Sequence, residues 1–164
     1  MPYEPFYERF GKLALTETRS ITVRAYPGLP DDKYGFIEAF CNDENCDCRR
    51  VIINVASRKR NEIVAVIAYG WEDEAFYARW YRHNDPEAIR ELKGPALNSM
   101  SDQTELAPAL LKLVGQVLED PEYLARIERH YRMFKERVDP KHFPPSRIEA
   151  PNARFQASKK RKRK

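Results

Sequence analysis

Tyr34-Gly35-Phe36-Ile37-Glu38-Ala39-Phe40-Cys41, Arg50-Val51-Ile52-Ile53-Asn54-Val55-Ala56 and Ile63-Val64-Ala65-Val66-Ile67-Ala68-Tyr69 are three apolar runs set close together in the chain. Their lengths and their content of Val, Ile and aromatic side chains mark strands. Asn42–Arg49 joins the first pair and Ser57–Asn61 the second. Connections that short cannot hold the crossover that parallel pairing needs, so the three runs form an antiparallel meander. Runs this apolar must be covered by helices on at least one face.

The helices follow in the sequence. Glu72 to Arg82 sets Phe76 four residues before Trp80 and Tyr77 four before Tyr81, with acidic residues in its first turn. Asp85-Pro86 opens a short helix that Gly94-Pro95 stops. Leu106, Leu110, Leu113, Val114 and Val117 mark one face of a third, with Ser101 or Thr104 as its cap. Asp120-Pro121 starts a fourth, whose stripe Leu124, Ile127, Tyr131, Phe134 and Val138 recurs at spacings of three and four. On the N-terminal side, Tyr3 to Phe10 reads as a short helix, Arg19-Ser20-Ile21-Thr22-Val23 as a strand and Pro27 to Asp32 as a turn.

A length of 164 residues with 42% hydrophobic and 12% aromatic side chains suits one packed domain. The net charge of +4 is unevenly placed. Residues 139–164 hold nine Lys and Arg against Asp139 and Glu149, a surplus of seven, which leaves residues 1–138 at −3. The expected organisation is a single globular α+β domain over residues 1–138, followed by a disordered basic tail over 139–164. In fold class it is a three-stranded antiparallel meander with a zinc-knuckle-like hairpin, packed by four C-terminal helices. No apolar run approaches the length of a membrane span, the N-terminus has no secretory pattern, and three cysteines are an odd number. The expected location is the cytoplasm, with no membrane partner.

The chemically specific segment is Phe40-Cys41-Asn42-Asp43-Glu44-Asn45-Cys46-Asp47-Cys48-Arg49-Arg50. A hairpin tip brings Cys41 and Cys48 opposite one another while Cys46 reaches in from the turn. Zinc asks for soft ligands converging in this way, and the Asn and Asp residues tolerate the tight backbone required. The expected cofactor is therefore zinc, held by Cys41, Cys46 and Cys48. Inert core cysteines, a disulfide, and a reactive thiol assisted by Arg49 and Arg50 remain alternatives. Three histidines, His83, His130 and His142, offer themselves as a fourth ligand. The first ends a helix far from the hairpin, the second borders an apolar stripe, and the third falls in the tail. A carboxylate, a water or another chain could equally complete the site.

Tyr34 to Val51, Lys93 to Asn98 running on to Leu106-Ala107-Pro108-Ala109-Leu110, and Arg129 to Phe134 together resemble parts of an uncharacterised bacterial family. The resemblance covers most of residues 3–137. Members of that family often end in a SEC-C module, the short cysteine-rich zinc motif also found at the end of the translocation ATPase SecA. This chain has no cysteine after Phe155 and closes on basic residues instead, so no role of that module carries over.

Two basic features point to phosphate: Arg58-Lys59-Arg60 in the second connection, and the terminal run Lys159, Lys160, Arg161, Lys162, Arg163 and Lys164. Nucleic acid or the ribosome is a partner that tail could contact, and a solubilising tail is the plainer reading. Phosphate-binding loops, dinucleotide fingerprints, zinc-protease helices and nucleophile elbows are all missing, so no enzyme class is indicated. The expected role is a zinc-binding module. A thiol-based redox protein using the same cysteines, or a protein-interaction adaptor, stands beside it.

Overall fold

A computed structural model of the chain describes residues 2–145. In order, the elements are β1 (Tyr3–Pro5), α1 (Phe6–Arg9), α2 (Gly11–Glu17), β2 (Arg19–Val23), β3 (Asp32–Cys41), β4 (Arg50–Ser57) and β5 (Glu62–Gly70). Then come α3 (Glu74–Tyr81), α4 (Pro86–Lys93), β6 (Ala96–Leu97), α5 (Ala107–Val117) and α6 (Pro121–Val138).

The chain is α+β, and every strand pairing is antiparallel. Strands β3, β4 and β5 pair in succession, but the sheet is larger than the three strands expected from the sequence. It has six, in the order β1-β3-β4-β5-β6, with β2 also against β3. The reason is the outer edge of β3, whose unpaired amides need partners. Strand β1 supplies them at the Cys41 end, where Tyr3 opposes Cys41, and β2 at the other end, where Val23 opposes Asp32. The N-terminal segment expected to be one helix therefore begins as an edge strand. It turns helical only after Pro5, whose missing N–H is tolerated at an edge.

Tyr34, Phe36, Phe40, Val51, Ile53, Val55, Ala65 and Ile67 are completely buried on one side of the sheet. Leu110, Leu113 and Val114 of α5 and Ile127, Tyr131 and Phe134 of α6 join them in one core. Each large apolar side chain so buried contributes about 1.5–3 kcal/mol. The opposite side of the sheet carries a smaller cluster of Ala39, Ile52, Val66 and Ala68. The α4–β6 link lies close to β5 there: a side chain at Gly94, where φ is 61°, would strike the Ala68 carbonyl.

Helices α3, α4 and α6 start at Asp73, Asp85 and Asp120, each accepting from an amide of the first turn. Helix α5 has no side-chain cap at its start, Leu106. Thr104, expected as that cap, accepts the Leu106 amide at 3.3 Å but donates its hydroxyl to Val64 of β5, pinning the loop before the helix. Ser101 is bonded instead to Asn98.

The core side of β3 carries one misfit, Glu38, met by His130 of α6. Nδ1 of His130 lies 2.7 Å from the Glu38 carboxylate and Nε2 lies 2.5 Å from that of Glu17. His130 is therefore fully buried and held on both ring nitrogens, rather than standing at the core edge. Among the described residues no helix is long and apolar enough to cross a membrane.

Candidate metal centre

Residues 42–49 join β3 to β4 at one end of the sheet. Cys41 closes β3 and is completely buried, Cys48 is equally buried, and Cys46 is partly exposed. The three sulfur atoms all lie within 4.8 Å of one another. Zinc bonded at about 2.3 Å in tetrahedral geometry holds thiolates roughly 3.8 Å apart, so a contraction of the order of 1 Å closes this cage on a metal. Hydrogen bonding from Cys46 and Cys48, assisted by the ammonium of Lys135, holds the Cys41 thiol far below its usual range. The same shared bonds and burial push Cys48 up.

The loop reaches this shape against its backbone preferences. Asn45 and Arg49 lie in the left-handed region, at φ 60° and 49°. Asn accepts that conformation readily, whereas for Arg it costs about 1 kcal/mol or more. Two tyrosines hold Arg49 there. Tyr77 of α3 donates its hydroxyl to the Arg49 carbonyl at 2.8 Å, and the Arg49 amide donates to the Tyr131 hydroxyl of α6 at 3.2 Å. Gly70 makes the first of these possible, because any side chain there would collide with the Tyr77 ring. Tyr131 in turn donates to Asp47 at 2.9 Å, and the Arg49 guanidinium bridges Asp47 and Glu72 at 3.0 Å each.

Helix α6 and the turn after it hold the rest of the loop. The Asn45 amide donates to Asp139 at 2.7 Å, and Asp139 also binds His142 Nδ1 at 2.9 Å. Lys135 is completely buried and donates to the carbonyls of Cys41 and Asp43, at 3.2 and 2.8 Å. From β1, the Tyr3 hydroxyl accepts from Arg50 at 3.2 Å, and Tyr3 itself lies opposite Cys41.

No protein-family model, curated protein or solved structure matches the chain. The centre is therefore read from its own geometry. Cys41, Cys46 and Cys48 are brought together. None of the histidines joins their set of mutually close donors among the described residues. His130 is engaged by two glutamates, His83 lies edge-on to Tyr81, and His142 is held by Asp139. His142, in the segment expected as tail, is held by Asp139, which also accepts the Asn45 amide of the cysteine loop.

Arg58, Lys59 and Arg60 form the turn at the far end of the sheet, away from the cysteines. Arg60 is tied to Glu105 and Glu62. Lys159 to Lys164 lie outside the described residues. The residues missed in the sequence are the holders of the loop: Tyr3, Tyr77, Tyr131, Lys135 and Asp139. Lys135 alone left a trace, as a charged residue beside Phe134 and four residues after Tyr131 on the apolar side of its helix.

Proposed function

We propose that the chain is a zinc-binding module in which Cys41, Cys46 and Cys48 hold a structural ion at the tip of the β3–β4 hairpin and tie it to α6. The observation that carries this reading is Lys135. A buried ammonium costs several kcal/mol without an anion nearby. Among the described residues its hydrogen bonds go only to two neutral carbonyls, and its charge favours the thiolate form of Cys41 and Cys46. Zinc with three thiolates carries a net charge of −1, which one lysine balances.

The ion would supply folding free energy by fixing a connection whose backbone is otherwise strained. Three thiolates leave the fourth position to a small donor such as water, since no further cysteine exists and each histidine is placed elsewhere. Two of the three thiols are completely buried, which favours metal binding over a redox sensor, whose thiols must be reachable. Cobalt substitution tests the assignment. Intense sulfur-to-cobalt absorption with a tetrahedral visible band is expected, diminished in Cys46→Ser. Weak, octahedral absorption insensitive to that change would refute it.

A further inference from the structure

We propose that the end of the sheet opposite the cysteines binds the phosphate backbone of duplex nucleic acid, without sequence preference, through Arg24, Lys33, Arg58 and Lys59. These four residues are exposed and surround one open recess of about 610 Å³, between the end of β2, the start of β3 and the β4–β5 turn. Among the described residues none of the four side chains makes an ion pair or a hydrogen bond.

The two carboxylates in the recess are used to build it. Asp31 accepts the Ala25 amide at 2.8 Å. Asp32, itself buried, accepts the amides of Lys33 and Lys59, at 2.7 and 3.1 Å, and the Ser57 hydroxyl at 2.5 Å. The Arg58 amide donates to the Lys33 carbonyl at 3.0 Å, so the turn is fixed to the adjoining strand. The frame thus holds four cations against two inward-bonded acids, a surplus of two positive charges. Arg60, the third basic residue of the turn, takes no part because Glu105 and Glu62 hold it.

The chemistry of the lining selects the partner. Protein interfaces centre on well-packed, desolvated anchors, most often Trp, Tyr or Arg, and lipid surfaces are held by apolar insertion together with cations. No aromatic residue lines this recess; Val23 is buried, and Tyr34 turns inward to the Pro30 carbonyl. The same lack removes base stacking, which contributes about 1–3 kcal/mol per base to single-strand binding. Attraction to phosphate by counterion release needs neither. With four contacts to duplex DNA, the logarithm of affinity falls with that of salt at a slope of about −3.6. A fourfold rise in salt then weakens binding on the order of a hundredfold. This surface is remote from the cysteines and stands independently of the metal.

The test is a salt titration of a fluorescent mixed-sequence duplex, using the full chain, the fourfold variant Arg24→Ala/Lys33→Ala/Arg58→Ala/Lys59→Ala, and both again with Lys159 to Lys164 replaced by serine. Thermal melts establish that each variant folds; the pair Arg58→Ala/Lys59→Ala serves if the fourfold variant does not. The expected result is a loss of three to four from the slope on removing the four cations, or about half that for the pair, with or without the terminal run. Slopes unchanged by these substitutions would overturn the proposal and assign binding to the terminal run. Absence of duplex binding, or binding to phosphatidylserine vesicles in its place, would overturn it as well.

Discussion

Lys135 and Cys41 meet across 94 residues of chain: the Lys135 ammonium donates to the Cys41 carbonyl at 3.2 Å, with both side chains completely excluded from solvent. A charge is thus placed beside the cysteine loop by the longest helix of the fold.

Replacing that charge separates its electrostatic role from its volume. Lys135→Met fills similar space but leaves a zinc–thiolate centre with an unbalanced negative charge. Zinc affinity should fall by about 10–100-fold, the range found when groups supporting a metal's ligands are removed. Competition against a chromophoric chelator measures it, with a melting curve to show that α6 still packs. Unchanged affinity would mean that Lys135 serves only to hold the two carbonyls.

Tyr131 acts on the loop through its hydroxyl. Tyr131→Phe keeps the ring contacts with Phe40 and Trp71 but removes the acceptor for the Arg49 amide and the donor to Asp47. A stability loss of about 1–3 kcal/mol is expected by denaturant unfolding. Amide exchange at Arg49 should accelerate with it; a variant protected as well as the parent would show that the clamp adds nothing.

These contacts explain what the sequence did and did not disclose. Strands β3, β4 and β5 were legible because apolar content and short connections are local properties. Strands β1 and β6 were not: Tyr3–Pro5 and Ala96–Leu97 are too short to carry a pattern, and become strands only because an edge of the sheet needs partners. Helices opened by Asp-Pro were readable to their first residue; α5 was legible from its apolar stripe, but its start at Leu106 has no side-chain cap in place of the expected Ser101 or Thr104. At the centre, three cysteines within eight residues announced themselves. Tyr131 and Lys135 could not, because they touch the loop only after α6 has folded onto β3.

The cluster around His130 gives a dependence on pH. Burial would raise the Glu17 carboxyl, but hydrogen bonds from Arg129 and His130 outweigh it and hold it below the usual carboxylate range. A carboxyl depressed in the folded state stabilises above its unfolded pKa of about 4.3, and that contribution is lost as pH falls through the folded value. At neutral pH the parent should therefore exceed Glu17→Gln by up to about 1 kcal/mol. The two should converge below about pH 4. Melting temperatures across that range test it, and curves that stay parallel would contradict it.

The most direct test of the account is elemental analysis of reduced protein purified without a metal-binding tag. About one zinc per chain is expected in the parent and far less in Cys46→Ser, since a metal held by three thiolates depends on each of them. Parent protein that is folded, reduced and free of metal would contradict the account.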